Sequence, residues 1–131
     1  MMQLTNIAIV VEDYDEAIHF YTKQLGFRLI EDTPLEAGKR WVRVAPENGN
    51  GCALLLAKAV NEQQQSRIGN QTGGRVFLFL ATDDFGRDYK RMLANDVRFL
   101  EKPRHEIYGT VAVFEDLYGN KWDLIEQTRK E

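Results

Sequence analysis

A chain of 131 residues, 44% hydrophobic and 28% charged, has the apolar content of one packed domain and enough charge to stay in solution. Its net charge of -3 argues against nucleic acid as the main partner, because binding phosphates needs concentrated Lys and Arg; the densest basic cluster, Lys102, Arg104 and His105, is broken by Pro103 and reads as a solvated turn. No apolar run approaches the roughly 20 residues that span a bilayer, and residues 1–11 lack the basic start and cleavage site of a secretion signal, so no membrane partner and a cytoplasmic location are expected.

Leu4 to Val11 is apolar and β-branched, the pattern of a buried strand. Asp13 then reads as an N-cap, with Glu16 three residues on to complete a capping box. The helix that follows carries Ala17, Phe20, Tyr21, Gln24 and Leu25 along one stripe, with His19 on the opposite face, and Gly26 ends it. Phe27 to Thr33, Lys39 to Ala45 and Cys52 to Ala57 read as three further strands, the last two joined by a Pro46–Gly51 turn rich in Asn and Gly. Cys52, alone and in an apolar run with no nearby base, reads as a structural thiol in a reducing compartment.

From Ala59 to Gly74 the composition shifts to Asn, Gln, Ser and Gly, a linker with room for a short helix. The plan then begins again. Val76 to Ala81 is a strand, Asp84 caps a helix striped by Phe85, Tyr89, Met92 and Leu93, and Arg98–Glu101, Thr110–Phe114 and Lys121–Ile125 supply three more strands. Glu12-Asp13-Tyr14 returns as Asp83-Asp84-Phe85, and Gly49-Asn50 returns as Gly119-Asn120, at nearly the same separation. An internal duplication accounts for both. The expected fold is α+β: two βαβββ repeats, about 3–58 and 75–128, joined by a linker over 59–74, in a single domain spanning 1–131.

Three strings resemble the vicinal oxygen chelate superfamily, the group that includes glyoxalase I, bleomycin-resistance proteins and extradiol dioxygenases. They are Asn6–Asp13 at the opening strand and cap, Ala17–Tyr21 with Leu25-Gly26-Phe27 at the helix and its exit, and Glu115–Leu124 at the closing turn and strand. The resemblance implies that each half curls into a partly open barrel sheet, and that the halves face each other around a concave site. In metal-dependent members that site holds one divalent ion on two side chains from each half. The positions that correspond here are Asn6, Leu54, Phe77 and Asp123. Two of these are apolar and cannot ligate, so no metal and no other cofactor is expected.

Side chains alternate along strands, so those sharing a face with Asn6 and Asp123 should line the cavity. That makes Ala8, Leu54, Leu56, Phe77, Phe79 and Asp123 candidates, joined by Trp41, Arg43, Tyr108 and Phe114, with His105 in a segment that overhangs them. The result would be an aromatic and aliphatic box with one carboxylate and one guanidinium, suited to a planar or partly hydrophobic small molecule. Three readings of function stay open. The first is metal-free binding or sequestration of a small molecule, as the bleomycin-resistance likeness implies. The second is an enzyme acting on a small oxygenated substrate, either a metal-dependent lyase or dioxygenase on a non-standard site or a metal-free isomerase with Asp123, the one catalytic candidate, as general base. The third is a structural module with a filled cavity. A homodimer is expected, since family members commonly pair.

Overall fold

The computed structural model describes residues 1–47 and 51–128, organised as two compact units, Met1–Gln71 and Thr72–Glu131. The class is α+β, and neither sheet closes into a barrel.

The first unit runs β1 (Asn6–Val11), α1 (Tyr14–His19), β2 (Arg28–Pro34), β3 (Arg40–Ala45) and β4 (Ala53–Lys58). Its four-stranded sheet has the order β1-β4-β3-β2, with β1 parallel to β4 and the other pairs antiparallel. Asp13 caps α1, its carboxylate accepting from the Glu16 amide at 2.9 Å. The helix does not continue as α to Leu25; Phe20–Gln24 forms a π turn, and the Leu25 amide reaches the Phe20 carbonyl at 2.9 Å. That wider turn still presents Ala17, Phe20, Tyr21 and Leu25 to the interior, so the apolar stripe survives the change of pitch. They pack with Ile9, Val11, Val42, Val44, Leu54 and Leu56, all buried. Gly26, at φ 86°, leaves the helix through the left-handed region.

The linker carries its own N-cap, braced by a second bond one residue earlier. Asn61 accepts from the Gln64 amide at 2.9 Å, and the Gln64 side chain accepts from Val60 N–H, also at 2.9 Å. This starts the single turn α2 (Glu62–Gln65). Gln71 donates to the Arg67 carbonyl at 2.8 Å and to Val10 of β1 at 3.4 Å, tying the end of the linker to the first unit.

The second unit runs β5 (Leu78–Ala81), α3 (Phe85–Ala94), β6 (Arg98–Phe99), β7 (Arg104–Glu106), β8 (Gly109–Glu115) and β9 (Lys121–Gln127). The order β5-β9-β8-β6, with β5 parallel to β9, repeats the plan of the first sheet. It departs by one strand. Residues 104–106, expected as an overhanging loop, form β7 and pair antiparallel with β8. Three consecutive charged or polar residues carry no apolar alternation, so nothing in their pattern announces a strand. An aromatic ladder joins helix to sheet: Phe85 on Tyr89, Tyr89 on Phe99, Phe99 on Phe114, and Phe114 stacked on Trp122 at 5.7 Å. Leu93, placed on the helix stripe by spacing, is exposed, and Val97 just beyond the helix is buried instead.

The turn from β8 to β9 rests on Asp116, which is buried. Its Oδ1 accepts from the Tyr118 and Asn120 amides, each at 2.9 Å, and its Oδ2 from the Asn120 side chain at 2.8 Å. The closing motif of the resemblance therefore has a local structural purpose here. Its first-half counterpart, Gly49-Asn50, lies outside the described residues.

Candidate functional site

Each sheet has one side against its helix and one far face, and strand register assigns every candidate to one or the other. In the first unit Asn6, Ala8 and Val10 alternate with the buried Ile9 and Val11, and so lie on the far face. Ala8 pairs with Leu55, and Leu55 with Arg43. Arg43 donates through Nε to Asn6 Oδ1 at 2.8 Å and faces Glu31 at 3.6 Å, so two neighbours hold its guanidinium in place. Trp41, two residues before Arg43 and 36% exposed, shares this face.

Leu54 and Leu56 do not. They pair with Ile7 and Ile9 and are buried on the α1 side, so the expectation that they share a face with Asn6 is corrected: Leu55 takes that place. Matching the two Gly-Asn turns aligned Asp123 with Leu54, one residue short of the true counterpart, and a slip of one residue exchanges the two faces of a strand.

In the second unit Phe79 pairs with Asp123, and Asp123 with Val113. Phe77, whose amide donates to the Lys121 carbonyl at 2.8 Å, continues the same row one step back. Phe79 is 67% exposed. Trp122 and Leu124 point the other way and are buried. Phe114 pairs with Trp122 and is fully buried within the ladder, so its expected place beside Asp123 is also corrected.

His105 pairs with Thr110, its Nδ1 lying 3.1 Å from the Thr110 hydroxyl; both residues neighbouring it in β7, Arg104 and Glu106, take the Asp123 side of the sheet. An exposed His105 on the α3 side does not overhang Asp123. Arg104 does share that face, a residue read from the sequence as part of a solvated turn. It pairs with Val111, which sits two residues before Val113, and its guanidinium is held by Glu101 at 2.8 Å and by Glu106 at 3.1 Å. Glu101 spends its second oxygen on the Val113 amide at 2.9 Å. No sequence signal marks Arg104 or Glu101, because their relation to Asp123 depends on the pairing of β7.

Asp123 itself makes no hydrogen bond or ion pair among the described residues, and its Oδ1 is buried without a partner. Burial raises the proton affinity of this carboxyl; the charge of Arg104 opposes the rise and that of Glu101 adds to it.

The Asn6 amide oxygen is already engaged by Arg43, and Leu55 and Phe77 offer no lone pair. Among the described residues no three His, Cys, Asp or Glu side chains come together, and no helix is long and apolar enough to cross a membrane. Cys52, half-buried, turns its Sγ to its neighbour's carbonyl.

Two βαβββ units with these motifs define a glyoxalase-type protein. The chain belongs to the Glyoxalase/Bleomycin resistance protein/Dioxygenase superfamily, whose model matches residues 3–124. It is 57% identical to an uncharacterized protein of Shewanella frigidimarina, over 98% of this chain and 96% of that one. Among solved structures it is similar to UcmS2, with a TM-score of 0.83 and 27% identity over 95% of this chain and 98% of that one. It is similar also to TnmS3, an antibiotic binding protein from Streptomyces sp. CB03234, with a TM-score of 0.77 and 27% identity over 98% of each chain.

Proposed function

We propose that the chain is a metal-free small-molecule binding protein that holds an aromatic or aliphatic ligand on the far face of its second sheet. One observation carries the reading: Asp123, a carboxylate with no partner among the described residues, shares that face with the exposed ring of Phe79. A surface of this kind offers apolar contact area and one oriented polar group, the combination small-molecule sites use. The likeness to an antibiotic binding protein supports a sequestering role for a drug-like ligand. The test is calorimetric titration with a panel of planar antibiotics, using the parent chain, Phe79→Ala and Asp123→Asn. Saturable binding weakened by both substitutions is expected; binding that neither substitution alters would refute the assignment. Elemental analysis of protein purified without chelators is expected to find well under one divalent ion per chain, and one equivalent would overturn the metal-free reading.

A second reading is favoured by the raised proton affinity of Asp123, which suits a general base in a metal-free isomerase. Mass and chiral analysis of the recovered ligand separates the two, since a binder returns it unchanged. We also propose a homodimer in the cytoplasm. Light scattering should give about twice the 15.1 kDa of one chain, and a single-chain mass would exclude it.

A further inference from the structure

We infer that the ligand held on the Asp123 face presents a protonated amine on its apolar frame, and that the same face rejects carboxylates. The inference rests on the proposed binding role and adds the charge of the ligand to it. It comes from the distribution of counter-ions around Asp123.

Arg104 is the cation whose field reaches Asp123, yet its guanidinium is already committed. Glu101 at 2.8 Å and Glu106 at 3.1 Å both accept from it. Two carboxylates on one guanidinium offset much of its charge; at Asp123 its pull exceeds the push of Glu101, and burial outweighs that pull. Of the other basic side chains in these strands, Arg98 pairs with Glu115 at 3.3 Å, Lys121 donates to the Gly74 carbonyl at 3.1 Å, and His105 lies against Thr110 on the α3 side. Asp123, between Phe79 on one side and Val113 on the other, thus has no hydrogen bond or ion pair among the described residues. A buried carboxylate oxygen with no donor is a costly arrangement. Of ligand groups that could remedy it, an ammonium supplies both the missing charge and the missing donors. An alcohol supplies one donor and no charge, and a carboxylate supplies repulsion. The raised proton affinity of Asp123 agrees with an acid waiting for such a partner.

The experiment uses three probes on one ring system: naphthylmethylamine, naphthalenemethanol and naphthoate, titrated calorimetrically into the full chain at pH 7.5. The amine is expected to bind about tenfold or more tightly than naphthoate, as a charge-assisted hydrogen bond at a desolvated site implies, with the alcohol between them. Asp123→Asn should bring the amine-to-naphthoate ratio close to unity and leave the alcohol nearly unchanged. Arg104→Gln should widen the ratio, because it releases the charge of Glu101 and Glu106. If Asp123→Asn fails to fold, the ratio in the parent chain and its response to Arg104→Gln decide the matter. Comparable binding of all three probes overturns the amine preference and leaves the binding role standing. A ratio unmoved by these substitutions also overturns the preference. Failure of all three to bind at millimolar concentration overturns both.

Discussion

The two faces of the second sheet can be told apart by replacing one phenylalanine on each. Phe114 is fully buried, stacked on Trp122 at 5.7 Å with planes 18° apart and tilted against Phe99 at 5.5 Å. Its truncation to alanine removes the middle of the ladder that ties α3 to the sheet. A buried Phe→Ala typically costs about 3–5 kcal/mol, and the loss of two ring contacts places this one near about 4 kcal/mol. Phe79 is 67% exposed, so little of its apolar surface leaves water on folding, and Phe79→Ala should cost less than about 1 kcal/mol. Urea unfolding followed by circular dichroism reads both. With a urea slope of about 1–3 kcal/mol/M, the Phe114 variant should move the midpoint by more than about 1 M at unchanged slope. The Phe79 variant should hardly move it and should lose ligand affinity instead. Losses within about 1 kcal/mol of each other would show that the register does not divide the two rings as described.

Gly109 has φ 149°, and a Cβ there would collide with the Glu126 carbonyl, so Gly109→Ala should cost about 2 kcal/mol or more by thermal melt, and an unchanged melting temperature would contradict that packing. In the first unit, Leu54→Ala should cost about 2–5 kcal/mol and the half-buried Leu55→Ala distinctly less; the reverse order would restore Leu54 to the far face. Burial lets the folded chain keep the Asp123 proton to a higher pH than the unfolded chain does, so stability falls as pH rises from the ordinary aspartate range through the raised value. Asp123→Asn removes that fall: it should match the parent in acid and exceed its stability at neutral pH, and a difference independent of pH would refute the burial argument.

Much of this fold was legible because its signals are local. Asp13 and Asp84 both cap helices by accepting from the amide three residues on, as acid-acid-aromatic starts suggest. The strand spans agree with their apolar runs to within about two residues. The features that were not legible depend on geometry that spacing does not encode. The π turn at Phe20–Gln24 keeps the same residues buried as an α-helix would, so periodicity does not distinguish them. The strand β7 exists through its pairing with β8, and its Arg-His-Glu sequence is what a protected edge carries.

The site was harder to read for a single reason: on a strand, one residue of uncertainty decides the face. The opening motif fixed Asn6 and Ala8 and the closing motif fixed Asp123, and the pairings of Ala8 with Leu55 and of Phe79 with Asp123 follow one rule in both units. The error at Leu54 and Leu56 entered through the turn match, whose first-half residues lie outside those described. Moving that position to Leu55 leaves the metal argument intact, because leucine replaces leucine. It changes the functional argument more. With Leu55 beside Arg43, and Arg43 held by Asn6 and Glu31, the cation of the first far face already has its counter-charge. Arg104 on the second sheet has its own. Asp123 is then the charged candidate without an ion pair among the described residues, and a buried carboxylate oxygen that lacks a donor is where a ligand's chemistry can be selected.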